Sequence, residues 1–359
     1  MTDSVKPAAE KAPTLLGACS RFCQDKIGWN RVGLVVSLTI IGVAFYVLYH
    51  ILHDIDVDEV VSAISATPLH NIVLAALFVA AAYFTLTFYD LFALRTIGRM
   101  EVPYRAAALA GFTSYSVGHN VGASVFTGGA VRYRIYSNWG LDAGEVARIC
   151  FVAGLTFWLG NATVLGLGIA YAPDAASAIN QLPAWVNRGL ALFTLFVLTC
   201  YVIWVWRRPR VIGRGQWQVT LPGGPLTLLQ IVIGIVDLTF CALAMYMLMP
   251  AEPHLSFITL GVIFVAATLL GFASHSPGGL GVFDAAMLVA LWQFDKEELL
   301  AGLLLFRLLY YIVPFILSLS ILGGRELHLN FFPRRPAQLP AAEPFVRPAE
   351  STIHKHDGI

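Results

Sequence analysis

Apolar stretches close to twenty residues long recur along this chain, at Gly33 to Leu52, Asn71 to Leu94, Ala147 to Tyr171, Leu190 to Trp206, Pro225 to Met249 and Leu299 to Leu322. About twenty apolar residues in a helix cross a hydrocarbon layer roughly 30 Å thick, so each stretch predicts a membrane span. Composition agrees, because charged residues make up 13% of the 359 and the mean hydropathy is +0.71, against about 25% charged in a soluble domain. A net charge of +1 without a clustered basic face gives no ground for a nucleic-acid partner. Five cysteines are scattered, and Cys150, Cys200 and Cys241 lie inside apolar runs, which suggests neither a disulfide framework nor a metal site. Leu16-Gly17-Ala18-Cys19 imitates a lipoprotein cleavage box, but Ala8 to Thr14 is not the apolar run a signal peptide needs.

Two further segments are apolar but interrupted. Ala106 to Tyr136 turns into Gly118-His119-Asn120 and Thr127-Gly128-Gly129, and Leu255 to Phe294 contains His275-Ser276-Pro277-Gly278-Gly279. Glycine and polar residues at membrane depth are tolerated where the backbone is shielded by protein or lines a cavity, so both segments predict broken or re-entrant Gly-rich hairpins. The expected fold is an all-α polytopic membrane protein with about six full spans plus these two hairpins.

Charge placement sets the orientation. The loop with Asp54, Asp56, Asp58 and Glu59 has no lysine or arginine, whereas Arg95, Arg99 and Arg105 follow the second span and Arg207, Arg208, Arg210 and Arg214 the fourth. Basic short loops stay in the cytoplasm, which puts both termini there. Residues 1–31 read as a polar cytoplasmic tail, 32–324 as the membrane domain, and 325–359 as a disordered cytoplasmic tail rich in proline.

The membrane domain divides into halves of one plan, about 32–172 and 188–324. Asp90 and Asp237 are offset by 147, Gly128-Gly129 and Gly278-Gly279 by 150, and Glu145 and Glu297 open the spans that follow. Three crossings per half invert one half relative to the other. Inverted repeats with interrupted helices that meet near the midplane are a transporter arrangement.

Arg132 and Arg134 bring fixed positive charge beside Gly128 and Gly129, where they read either as a phosphate site or as snorkelling anchors. Arg307 lies within the last apolar run, where an ionisable side chain is a functional candidate. Asp237, Asp284 and a lipid phosphate are its candidate partners. Asp284 follows Pro277, Gly278, Gly279 and Gly281 and reads as a helix cap or a gate. Asp90 and Asp237 read as structural groups near helix ends. His119, Asn120 and His275 lie beside the breaks and are expected to satisfy backbone there. No Gly-x-Ser-x-Gly, His-Glu-x-x-His or Walker sequence is present, and no catalytic residue, metal or cofactor is expected.

The stretches Thr127-Gly128-Gly129-Ala130-Val131-Arg132-Tyr133-Arg134-Ile135-Tyr136-Ser137 and Ser276-Pro277-Gly278-Gly279-Leu280-Gly281-Val282-Phe283-Asp284 resemble the transmembrane region of the lysylphosphatidylglycerol flippase/synthetases, the multiple peptide resistance factor family, over roughly Val32 to Gly324. Members often carry glutamate where this chain has Asp284. The resemblance implies a bacterial inner-membrane protein that flips phospholipid, either phosphatidylglycerol or its aminoacyl form. It implies no enzyme activity, because the soluble aminoacyl-transferase part of bifunctional members has no counterpart here. Two other readings stand beside it. One is an accessory scaffold for a separate lipid synthase or glycosyltransferase, and the other an intramembrane lipid transferase with Asp284 or His275 as base.

Overall fold

The computed structural model describes residues 57–122, 124–207, 210–214 and 217–331. The expected span Gly33 to Leu52 and the tail 1–31 lie outside the described residues, as does the tail beyond 331. The chain divides after Leu319. The first unit holds everything that follows, and the described part of the second is the helical stretch 320–331.

The polar stretch that opens with Asp58 is helical as α1, Val57–Ala66. Helix α2, Leu69–Thr96, has 28 residues, roughly 42 Å at 1.5 Å per residue, so it crosses a bilayer with length to spare for tilt. Helices α3, Tyr104–Val121, and α4, Ser124–Tyr136, form the first hairpin. Asp142 then starts α5, Ala143–Tyr171, through a capping box: its carboxylate accepts from the Glu145 N–H at 2.7 Å and the Glu145 carboxylate accepts from the Asp142 N–H at 3.1 Å. After α6, Pro173–Asn180, helix α7, Ala184–Arg207, buries only Asn187, Ala191 and Val205, the pattern of a helix that faces lipid on most sides.

The basic connector departs from the all-α expectation. Strands β1, Val211–Arg214, and β2, Trp217–Thr220, pair antiparallel there. The second half runs α8, Gly224–Met247; α9, Phe257–Ala273; α10, Val282–Ala290; and α11, Lys296–Arg307. Asp295 caps α11 by accepting from the N–H groups of Glu297 and Glu298 at 3.1 Å each, so acidic caps open the post-hairpin helix in both halves. A π-turn, Leu308–Ile312, leads into α12, Val313–Phe331. Helix α12 therefore continues past Arg325, where the tail was expected to begin.

Five helices among the described residues are long and apolar enough to span a membrane: α2, α5, α7, α8 and the run Lys296–Arg325. The protein is an all-α polytopic membrane protein apart from the short strand pair. Helices α2, α5 and α8 form its centre. Backbones approach closely where α5 crosses α8, since a Cβ on Gly160 or on Gly234 would lie 2.7 Å from the other's Cα. Gln230 of α8 donates to the Thr156 hydroxyl of α5 at 2.8 Å beside that contact. Small residues with a polar bond between helices are the usual glue where lipid removes the hydrophobic drive.

The first hairpin corrects the sequence reading in one respect. Its turn lies at Gly122, with φ +82°, whereas Gly128 and Gly129 are inside α4. Gly128 allows α3 and α4 to approach, because a Cβ there would meet the Ser114 carbonyl at 3.0 Å. The second break falls where it was expected. Pro277–Gly279 forms a single 3-10 turn, and Gly278, Gly279 and Gly281 take φ of +61°, +61° and +79°, which glycine adopts without steric cost.

Candidate functional site

The two breaks touch. A Cβ on Gly122 would lie 3.3 Å from the His275 carbonyl oxygen and 3.5 Å from the Pro277 Cα. Asn120, two residues before the first break, donates to the Ser116 carbonyl at 2.8 Å and to the Tyr311 carbonyl at 3.1 Å. Tyr83 of α2 donates to the Tyr310 carbonyl at 3.0 Å. Tyr310 and Tyr311 are in the π-turn, where wider backbone bonding displaces the regular α-helical ladder. Side chains of the first half supply hydrogen bonds to these carbonyls instead.

Each half also contains a buried ion pair beside its break. Arg132 of α4 reaches Asp90 of α2 through Nε, at 3.1 and 3.0 Å, and through Nη2, at 2.7 Å. The Tyr136 hydroxyl adds a 2.8 Å bond to the same carboxylate. Asp90 is fully buried and Arg132 is 6% exposed. In the second half, Arg307 of α11 bonds Asp284 of α10 at 2.9 and 2.5 Å, and its Nη1 donates to the Gly278 carbonyl at 3.1 Å. Asp284 also accepts from the Gly281 N–H at 3.1 Å, so it caps α10 and holds Arg307 together. A charge taken out of water is costly unless paired and hydrogen-bonded, and both arginines meet that demand within the protein.

Between the breaks is a cavity of about 200 Å³. Gly118, His119 and Gly122 line it from the first break, and His275, Gly278 and Gly279 from the second. Tyr115, Phe283 and Tyr311 line it as well, and the same rings pack against the two guanidinium groups. Arg132 lies 4.8 Å from the Tyr115 ring centre, and Arg307 lies 5.9 and 5.6 Å from those of Phe283 and Tyr311. His275 has φ +57°, and its Nδ1 is 2.9 Å from the Ala273 carbonyl. At one side of the cavity Val125 and Phe126 are exposed, Phe126 by 80%.

Asp237 is not at a helix end, as its sequence context suggested. It sits in the middle of α8, 4% exposed, on the cavity wall. The Tyr89 hydroxyl donates to its Oδ2 at 3.1 Å, while Oδ1 has no partner. The His119 Nδ1, buried in the same wall, has none either. Arg134 is exposed at the end of α4, apart from Arg132 and Arg307, so the three arginines do not converge on one point. Sequence reasoning missed the tyrosines. Tyr83 donates to the π-turn, Tyr89 to Asp237 and Tyr136 to Asp90, and the Tyr115 ring lies against Arg132; their only signal was their position inside apolar runs. Among the described residues no three His, Cys, Asp or Glu side chains are grouped to hold a metal ion.

The connector between α2 and α3 is tied down separately. Arg99 bonds both oxygens of Glu145 at 2.7 Å and Glu101 at 2.9 Å. A hydrogen bond from its own backbone N–H, reinforced by Arg99, holds the Glu101 carboxyl below the usual range.

Residues 32–318 match the family described as the lysylphosphatidylglycerol synthase TM region. An uncharacterised protein of Synechocystis is 31% identical over 246 residues, covering 68% of this chain and 76% of that protein. The inner membrane protein YbhN of Escherichia coli is 29% identical over 248 residues, covering 67% and 76%. Phosphatidylglycerol lysyltransferase of Staphylococcus aureus is 25% identical over 298 residues, which is 81% of this chain but 34% of that enzyme. The chain thus spans about a third of the lysyltransferase.

Proposed function

From the premise that this chain belongs to the lysylphosphatidylglycerol synthase transmembrane-region family, we propose that it moves phospholipid between the leaflets of a bacterial inner membrane. The observation that carries this reading is the cavity at the contact of the two broken helices, with walls from both halves. The cavity is mostly apolar, as a space shared with acyl chains would be, with Asp237, His119 and His275 among the few polar groups in its wall, and exposed Val125 and Phe126 give it an apolar border toward the surface. The relatives named for phosphatidylglycerol make that lipid, or its aminoacyl form, the first cargo to test.

The headgroup phosphate draws on the arginines by partner exchange. Arg307, the less buried of the two, releases Asp284 and takes a phosphate oxygen, so its charge is never left bare. Asp284 keeps the Gly281 N–H when it is released, so neither charge is left without a hydrogen bond. Arg132 stays with Asp90 and holds the hairpin, and Arg134 meets headgroups at the surface. The halves act as inverted repeats that rock about the cavity, with Gly122 and Gly278 to Gly281 as the moving points, and the arginine-bearing connectors face the cytoplasm.

The test is reconstitution in liposomes with fluorescent phosphatidylglycerol, lysylphosphatidylglycerol and a neutral lipid, with leaflet exchange as the readout. Faster exchange of the first two that falls in Arg307→Ala supports the reading. No exchange with any lipid, together with co-purification of a lipid synthase or glycosyltransferase, replaces it with the accessory role.

A further inference from the structure

The described interior around the cavity holds three carboxylates, Asp90, Asp237 and Asp284, but two guanidinium groups, Arg132 and Arg307, and each arginine is taken by one carboxylate. Asp237 is the one left over. It sits mid-helix on the cavity wall with a single hydrogen bond, from Tyr89, and one oxygen without a partner. Among the described residues its surroundings offer no lysine or arginine within reach, and the basic side chain in the same part of the wall is His119. Tyr83 and Tyr89 face it from α2, Tyr115 from α3, Tyr310 from the π-turn and Cys241 from its own helix, all neutral in their ordinary forms. A bare carboxylate in such a place would lose its hydration without a counter-charge.

We propose that Asp237 is a proton-binding site whose occupancy is coupled to lipid movement. The site binds a proton from water, for which a cavity of about 200 Å³ has room, since one water takes up about 30 Å³. The His119 Nδ1, the second unpartnered atom in the same wall, gives that water or proton another acceptor. The coupling follows from charge. An ionised Asp237 repels an incoming phosphate and a protonated one does not, so anionic lipid enters when Asp237 carries its proton.

The coupling rests on the lipid-translocation reading, whereas the proton site does not, and two measurements separate them. The first is the infrared carbonyl band of a protonated carboxylic acid, read at neutral pH on full-length protein in nanodiscs with isotope-labelled aspartate. The band is assigned to Asp237 by its absence from Asp237→Asn. No band in the wild type overturns the proposal, whether or not lipid moves. The second is exchange of fluorescent phosphatidylglycerol at acid and alkaline pH. The wild type runs several-fold faster on the acid side, while Asp237→Asn, which mimics the protonated state, is fast and flat across pH. A flat wild type that does exchange lipid, or a variant that keeps the slope, overturns the coupling. A band that titrates in a protein that moves no lipid leaves the proton site standing and removes the translocation reading instead. Should the Asn variant fail to fold, Asp237→Glu keeps the acid but removes the aspartate label, and the labelled band must then be absent from it.

Discussion

In the first half the carboxylate, Asp90, stands on the long helix α2 and the guanidinium, Arg132, on the hairpin arm α4. In the second half the carboxylate, Asp284, stands on the hairpin arm α10 and the guanidinium, Arg307, on the helix that follows. Both bonds tie an arm to a full-length helix, and the partners are exchanged between the halves. The settings differ as well. The Asp90 pair is sealed and gains a tyrosine hydroxyl, whereas the Asp284 pair is 11% exposed on each side and reaches the carbonyl of Gly278 at the break itself. Burial without slack suits a clamp. A bond that includes the turn and a cavity edge suits a part that changes partners.

This contrast predicts unequal losses. Arg132→Ala leaves Asp90 buried with only the Tyr136 hydroxyl and no counter-charge, so it should cost about 3–5 kcal/mol and drastically reduce the yield of monodisperse protein in detergent. The double variant Asp90→Asn with Arg132→Met leaves no buried charge and should restore most of that stability. If it is as damaged as Arg132→Ala, the clamp is not an ion pair in any energetic sense. Arg307→Ala should cost less, about 1.5–3 kcal/mol for bonds to a charged group, because Asp284 keeps the Gly281 N–H and some access to solvent. Its thermal midpoint should therefore lie between those of wild type and Arg132→Ala, while lipid exchange falls further than stability does. A reversed order of midpoints would exchange the roles of the two halves.

The five described spans and the second interruption were readable because apolar length and proline-glycine chemistry are local properties. The Pro277-Gly278-Gly279 break needed no information from elsewhere in the chain, and Asp284 was already among the partners open to Arg307. The bond between Asp90 and Arg132 was hidden, since 42 residues separate them and nothing local says which arm a helix will meet. The bonds from Tyr83 and Asn120 to carbonyls of the π-turn were hidden for the same reason. The strand pair was missed because Val211 to Thr220 is short and lies in a connector marked chiefly by arginine. Gly128-Gly129 misled for a different reason. Glycine serves a turn or a close helix contact equally well, and sequence does not say which.

That ambiguity yields the smallest and most discriminating expectation. Gly122 has φ +82°, and a side chain there would also meet the second break at the His275 carbonyl. Gly122→Ala should cost about 1–3 kcal/mol from the positive-φ, extended backbone alone, a region open essentially to glycine, and disturb the contact between the breaks. Gly129 is inside α4, and the nearest atom to an added Cβ is the Cys150 sulfur at 3.7 Å, an ordinary contact. Gly129→Ala should therefore be neutral or stabilise by about 0.5–1 kcal/mol, because alanine loses less chain entropy in a helix. Gly128→Ala is the internal control and should destabilise, since its Cβ would press on the Ser114 carbonyl at 3.0 Å. Thermal midpoints of the three variants in one detergent give the order directly. A Gly129 variant that loses more than the Gly122 variant would return the turn to Gly128-Gly129 and undo the contact between the breaks on which the cavity depends.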